Sequence, residues 1–439
     1  MRSTAEAISY LLADSTDLKV ISNFINGEFQ PIDANRPQIL SENPATEANL
    51  NGLALLESKD QGKTVKMARE IEIPRTILNF RTFASAIVTH TNPSVIQEIP
   101  VKALNYVKTF PVGVAALISP WNLPLYLLSF KLAPALACGN TVVCKPSEMT
   151  SATAWVLFHA FVEAGFPPGA VNMILGTGPE AGEPLVSHPK TSIISFTGST
   201  AVGRRIAGIA AGGLKKVSLE LGGKNPTVVF PSVDMDEIVP TVVRLFVHES
   251  IFDKFLEKFL ESAQKLVVGD PEDDRSDLGA LISKSHFEKV NGYITLAKDE
   301  GLRVLCGGPV KGSDRCAQGH FIAPTVVIVG TSYEGKLMQD EIFGPVVCVT
   351  SFSDTQEVIR RANAVPYGLS ACVWSKNVDE ITTVANQLRA GTVWCNCWLV
   401  RELNMPFGGT KESGIGREGV VDSLYFFTEQ KTVCLKLAQ

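Results

Sequence analysis

The chain has 439 residues, 45% hydrophobic and 19% charged, with a formal net charge of −5 and a pI near 5.8. These values describe an ordinary soluble globular protein of two or three domains and argue against a nucleic-acid partner. No apolar run approaches a membrane span, and the nine cysteines lack framework spacing, which suits a reducing compartment and predicts the cytoplasm.

The N-terminus, MRSTAEAISYLLADSTDLKV, is neither a secretory signal nor an Arg-rich transit peptide, and residues 1–20 read as a frayed or weakly helical tail. NFINGEF (23–29) reads as a strand and turn, because Asn26-Gly27 is a strong hairpin signal. Residues 62–87 are mostly helical in pattern, with Ile77, Leu78, Phe80, Phe83 and Ala84 at helix-like spacing and Pro74 marking a start or kink. Residues 95–110 read as a β arm or an ordinary edge hairpin.

Residues 112–230 repeat strand and helix. VGVAALIS (112–119), TVVCK (141–145), VNMIL (171–175), SIISF (192–196) and VSLEL (217–221) read as buried strands. Thr150 or Ser151 is the expected cap of a helix that runs to Ala164 and stops at Gly165. GTGPEAG (176–182) reads as a turn before a helix. Gly198 and Gly203 bracket Ser199 in a turn, a helix-like run covers 204–211, and the next strand delivers Glu220 to its C-terminal end. Strand, glycine turn, helix and strand make half of a doubly wound, nucleotide-binding α/β sheet. The turn alone is weak, since GSTAVG is not GxGxxG and a plain tight turn is the alternative. Strands and helices alternate again from Phe246 to about Asn404.

Six stretches occur in order: ISPWNLPLY (118–126), GNTVVCKPSEMT (139–150), SFTGS (195–199), LELGGKNP (219–226), EIFGPV (341–346) and PFGGTKESGIGREG (406–419). Together they resemble the NAD(P)-dependent aldehyde dehydrogenase superfamily, over roughly Asn23 to the C-terminus. The resemblance implies an α/β fold with a doubly wound NAD-binding domain (21–97 and 112–230), an α/β catalytic domain (231–424), a small β oligomerisation arm (98–111 and 425–439) and a tail (1–20). In the family such an arm pairs with the C-terminal strand, here 432–437, to build oligomers, so a homodimer or homotetramer is expected.

The resemblance also implies site roles. Asn122 of PWNLP is the expected oxyanion donor and Glu220 of LELGG the expected base. A turn amide and a solvated strand-end glutamate are their plainer readings. NAD would meet Ser119, Pro120, Trp121, Lys145, Ser147, Glu148, Gly198, Ser199, Gly203 and Leu221, with Glu341 on the nicotinamide ribose and Phe343 behind the ring. Lys145 and Glu148 can hydrogen-bond ribose hydroxyls, and Glu148 would repel a 2′-phosphate, which favours NAD over NADP. No metal is expected. Cys395 and Cys397 form a CxC pair without further ligands, and Cys138, Cys144, Cys348 and Cys372 read as buried fillers.

Two family segments are missing. A pair of helices normally follows the NPAT element, but here ENPATEANLNG (42–52) runs directly into LALLESKDQGK. The loop carrying the nucleophilic cysteine is absent between Arg244 and Leu245, where VDMDEIVPTVVR (233–244) meets LFVHES. ESKDQGKT, IPRTILNFRTFA and CWLVRELNMPFGG resemble the branch that oxidises carboxylated semialdehydes such as 2-aminomuconic semialdehyde of the kynurenine route. Arg75 and Arg401 are then the candidates for the substrate carboxylates, a surface ion pair with Glu402 being the plainer reading of Arg401. Without its thiolate the chain could instead be an inactive variant that holds NAD or co-assembles with active relatives.

Overall fold

The computed structural model describes residues 2–12, 19–31, 52–235, 244–312, 316–330 and 334–438. The junction at 42–51 and most of the segment leading to Arg244 lie outside them. The first half runs α1 (Thr4–Leu12), β1 (Phe24–Ile25), β2 (Glu28–Phe29), α2 (Leu53–Gln61), α3 (Val65–Met67), a π-helical turn (Ala68–Glu72), α4 (Ile73–Thr89), β3 (Ser94–Gln97), β4 (Ala103–Pro111), β5 (Val114–Ile118), α5 (Pro124–Ala137), β6 (Thr141–Lys145), α6 (Ala152–Glu163), β7 (Val171–Met173), α7 (Glu183–Ser187), β8 (Thr191–Thr197), α8 (Thr200–Gly212) and β9 (Lys216–Glu220). The second half runs β10 (Pro226–Val229), β11 (Arg244–His248), α9 (Phe252–Lys265), α10 (Lys284–Asp299), β12 (Arg303–Val310), β13 (Phe321–Ile328), α11 (Lys336–Gln339), β14 (Val346–Phe352), α12 (Thr355–Asn363), β15 (Tyr367–Gly368), β16 (Ser370–Trp374), α13 (Val378–Gln387), β17 (Thr392–Cys395), β18 (Thr410–Lys411), β19 (Gly414–Ile415), α14 (Val420–Phe426) and β20 (Thr428–Lys436).

The first sheet has the order β19-β9-β8-β5-β6-β7-β1-β2. Strands β9, β8, β5, β6 and β7 are mutually parallel. The chain winds one way from β5 through β7 and the other way from β8 to β9. The strand order therefore reverses between β5 and β8, the place where such sheets open a crevice for ligands. Helices bury both faces: Leu128, Phe130, Phe158 and Phe83 lie in one core, Ile206 and Ala210 with Ile194 and Phe196 in another. That double cover explains the unbroken apolar run VAALI of β5.

The second sheet has the order β12-β13-β14-β11-β10-β16-β17, parallel except at the β12 edge. A third, antiparallel sheet, β20-β4-β3, pairs the C-terminal strand with the arm from Thr428↔Pro111 to Lys436↔Ala103. The expected α/β architecture, a doubly wound sheet with a second α/β sheet and a small antiparallel arm, is what the chain adopts.

Several local expectations are corrected. Of the two readings of the first residues the helical one holds for Thr4–Leu12, and the helix is docked rather than frayed, because Ala7 and Leu11 are buried and Thr4 hydrogen-bonds Glu163 of α6. Neither Thr150 nor Ser151 caps α6 with its side chain. Asp60 of α2 does so from outside, accepting from Ala152 N at 2.9 Å, while Ser151 Oγ turns to the Ser147 carbonyl. Gly203 lies inside α8, not in the turn, and the helix starts at Thr200 with Ser199 as its cap. A Cβ on Gly203 would fall 2.3 Å from Leu221 Cδ2, so its smallness serves close helix–strand packing. Arg244 is the first residue of β11, opposite Pro226 and Cys348. The resumed strand therefore begins at Arg244 rather than at Leu245, and residues 236–243 of the segment before it lie outside the described residues.

Candidate active site

Four parallel strands bring the expected residues to one edge. Strand β9 ends on Glu220, β8 on Thr197 followed by Gly198 and Ser199, β5 leads into Ser119–Asn122, and β6 into Lys145–Glu148. Ser119 and Ser147 are buried, and Ser119 Oγ has no hydrogen-bond partner among the described residues. Pro120 and Trp121 continue the β5 turn. Trp121 packs edge-on against Phe343 at 5.1 Å and His286 at 5.0 Å.

The crevice fits a dinucleotide. Ser199 caps α8 by accepting from Val202 N, and the free N–H groups of that helix end suit a phosphate. A Cβ on Gly222 would fall 2.7 Å from Glu341 Oε2 and 3.0 Å from Thr200 Oγ1, so only backbone separates the helix start from Glu341. Leu221 N is held by the Ser413 carbonyl at 2.8 Å, which fixes the strand end beside Gly203. Glu341 Oε1 accepts from Gly223 N at 2.8 Å; burial raises its pKa against the pull of that N–H, Lys289 and Lys224. Lys145 Nζ pairs with Glu148 Oε2 at 3.2 Å and also donates to the Pro146 carbonyl. Phe343 adopts φ +60°, a strained value for an aromatic residue. His286 Nε2 lies 2.6 Å from its carbonyl and Lys289 Nζ donates to the Glu341 carbonyl, contacts that no motif in the sequence announces.

Glu220 occupies a buried electrostatic cluster. Burial raises its pKa most and Glu418 adds to the rise, while Lys131, Arg401 and a 3.3 Å hydrogen bond from Thr197 Oγ1 oppose it. A carboxyl shifted towards neutrality can exchange a proton with water. Lys131 Nζ bridges Glu418 Oε1 at 2.8 Å and Ser195 Oγ at 3.1 Å. The signal for Lys131 was present in the sequence: it is the lone charge in the apolar helix PLYLLSFKLAPALA.

Arg75 and Arg401, far apart in sequence, meet at this cluster. Arg401 Nη1 donates to Tyr126 Oη at 3.2 Å, and its guanidinium lies 4.1 Å from the Phe407 ring centre and 4.5 Å from that of Phe130. Arg75 Nη2 donates to the Arg401 carbonyl at 3.4 Å. Arg75 Nε and Arg401 Nε and Nη2 are buried with no acceptor among the described residues. Glu402 hydrogen-bonds Asn404, and no ion pair joins it to Arg401 among the described residues.

Asn122 sits at the β5 end with its side-chain amide unpaired among the described residues, and Lys63 Nζ holds its carbonyl at 2.9 Å. No cysteine lies between Cys144 and Cys306. Cys138, Cys144, Cys348 and Cys372 are buried, with thiol pKa values raised mainly by burial. Cys395 and Cys397 are half-buried, packed against different apolar clusters of the second sheet. Among the described residues no group of three or more His, Cys, Asp or Glu is placed to hold a metal, and no helix is long and apolar enough to cross a membrane.

The Aldehyde dehydrogenase family profile matches residues 34–433. The chain is 53% identical over 411 residues to the 2-aminomuconic semialdehyde dehydrogenase of Danio rerio, covering 89% of this chain and 83% of that one. It is 50% identical over 408 residues to the human protein of the same name, with the same coverages. Among solved structures, an aldehyde dehydrogenase of Bacillus cereus in complex with NAD+ superposes with a TM-score of 0.89 at 34% identity, over 96% of this chain and 97% of that one. With six motifs, the sheet order and the crevice in agreement, the chain belongs to the aldehyde dehydrogenase family, oxidoreductases that use NAD to oxidise aldehydes.

Proposed function

We propose that the substrate is a small carboxylated semialdehyde of the 2-aminomuconic kind, bound beside the C-terminal edge of the first sheet. The observation that carries this is the pair Arg75 and Arg401, whose buried N–H groups lack acceptors among the described residues, with the Arg401 charge acting on Glu220. Buried guanidinium donors without acceptors are costly, and a carboxylate would satisfy them. The Asn122 amide donates to the carbonyl oxygen as negative charge develops there. Glu220 takes the proton of the attacking water. Lys145, Glu148, Ser199 and Glu341 hold NAD, which accepts the hydride when bound. Ile96, Phe110 and Leu435 are exposed on one face of the third sheet and offer it to a second copy, in a homo-oligomer. No disulfide forms among the described residues, which accords with a cytoplasmic setting.

The test is direct binding. A muconate-type dicarboxylate should bind this chain at least tenfold more tightly than its diamide, and Arg401→Ala should erase the difference. Equal binding of both compounds would remove the assignment.

A second reading rests on the missing cysteine. Residues 145–305 contain none, so the usual thiolate attack has no donor in this stretch. The chain would then hold NAD or join active relatives without oxidising anything itself. Digestion of the natural protein with a Glu-specific protease decides. A peptide IVPTVVRLFVHE, residues 238–249, means that the short chain is the real product and that its role is binding or assembly. A longer peptide with a cysteine between the same ends restores the oxidation chemistry.

A further inference from the structure

A small cavity lies on the second sheet, at the N-terminal ends of β10 and β16. Lys224, Asn225, Gly368, Ser370, Ala362 and Arg389 are among the residues that line it, and among the described residues no carboxylate does. It has room for about one water-sized particle. Lys224 is 1% exposed, and its Nζ has no hydrogen-bond partner among the described residues. A buried ammonium without a partner is one of the costliest groups a fold can contain.

The surrounding groups cannot relieve it. The C-terminal carbonyls of α12 would suit a cation, but two other cations already occupy them. Arg244 Nη2 donates to the Ala362 carbonyl at 2.7 Å, and Lys411 Nζ donates to the carbonyls of Asn363 at 3.2 Å and Val365 at 2.6 Å. Arg244 is itself fully buried, and its Nε and Nη1 also lack partners among the described residues. Cys348, the nearest acidic group to both, spends its thiol as a donor to the Leu337 carbonyl at 3.3 Å. Asp340 and Glu341 act on Lys224, but neither lines the cavity. Asp340 accepts from Tyr293 Oη and Glu341 from Gly223 N. Burial and Arg244 both push the Lys224 ammonium towards losing its proton, against the pull of Cys348, Asp340 and Glu341. An arginine cannot take that escape at neutral pH, so a local excess of positive charge persists around the cavity.

We propose that this cavity binds a single small anion of halide size, held by the Lys224 ammonium within the positive field of Arg244, Lys411 and Arg389. The site adjoins the dinucleotide crevice through Tyr367, which lines the cavity and borders Gly222, but none of the groups assigned to the cofactor lines it.

Bromide is the probe. Crystals of the full chain soaked in sodium bromide, with diffraction recorded at the bromine absorption edge, should show an anomalous peak in contact with Lys224 Nζ. In solution, sodium chloride should raise the unfolding temperature above that in sodium gluconate at equal ionic strength, and Lys224→Met should abolish the difference. A non-anomalous water at Lys224 would overturn the proposal, as would a bromide peak that persists unchanged in Lys224→Met. The wild-type soak stands by itself if that variant fails to fold.

Discussion

Lys63 Nζ donates a 2.9 Å hydrogen bond to the main-chain carbonyl of Asn122 while it pairs with the buried carboxylate of Glu72. From the same neighbourhood Glu57 Oε1 accepts from Leu125 N at 3.0 Å, in the first turn of α5, three residues further along the chain. The turn that presents the Asn122 amide is thus gripped on both sides by the helical segment ahead of α4. Lys63→Met should leave both the Asn122 carbonyl and Glu72 short of a donor, a loss of about 1–3 kcal/mol in urea unfolding. A variant as stable as the parent would mean that the contact does not hold the loop.

Glu72 makes the same cluster sensitive to pH. Burial pushes its carboxyl up to about 8, with Glu57 adding to the rise and Lys63 opposing it. In the unfolded chain it titrates near 4.5. Between these values the folded chain keeps a proton that the unfolded chain releases. The stability from this group is therefore full below the unfolded pKa and is lost as pH rises through the folded one. The difference in stability between the wild type and Glu72→Gln should change by at most about 1.4 kcal/mol per pH unit in that window. Parallel stability curves for the two proteins would refute the assignment to Glu72.

Much of this was legible in the sequence because the motifs sit at strand ends. Strand ends are local features, so Asn122, Lys145, Ser199 and Glu220 could be placed by reading alone, and the sheet puts them on one edge. The convergence of Arg75 with Arg401 rested on resemblance, since no local pattern joins residues so far apart in sequence. Lys63, Glu57, Glu72, Lys131 and Glu418 were missed. Their partners are set by how α2, α5 and the C-terminal segment pack, which periodicity does not encode. The cap of α6 failed for the same reason: Asp60 reaches it from another helix, and the local serine is diverted to a carbonyl. Gly203 was read as a turn residue because a small side chain serves turns and tight helix packing equally well.

Gly222 offers a test of the cofactor crevice that leaves the core alone. A methyl group there would press on Glu341 Oε2 and Thr200 Oγ1. Gly222→Ala should therefore displace the Glu341 carboxylate and weaken NAD binding by about tenfold or more, about 1.4 kcal/mol. Calorimetric titration with NAD measures this, and urea unfolding checks that the fold survives. Unchanged affinity would place the nicotinamide ribose away from Glu341.

Lys131 is the counter-charge of the Glu220 cluster, 1% exposed and paired with Glu418. Removing it leaves two carboxyl groups, Glu418 and Glu220, facing each other without their main cation. Lys131→Met should cost about 3–5 kcal/mol at neutral pH, the usual penalty for stranding one member of a buried pair. Adding Glu418→Gln should recover part of that loss, because the amide can stay buried without a charge. Glu220 can also be relieved by protonation, which loss of the Lys131 charge favours. The penalty of Lys131→Met should accordingly shrink as pH falls from about 8 to about 5. Urea unfolding of the four proteins of the cycle across that range gives both numbers. A penalty independent of pH would show that Lys131 stabilises the fold by packing alone, and that it does not hold down the proton affinity of Glu220.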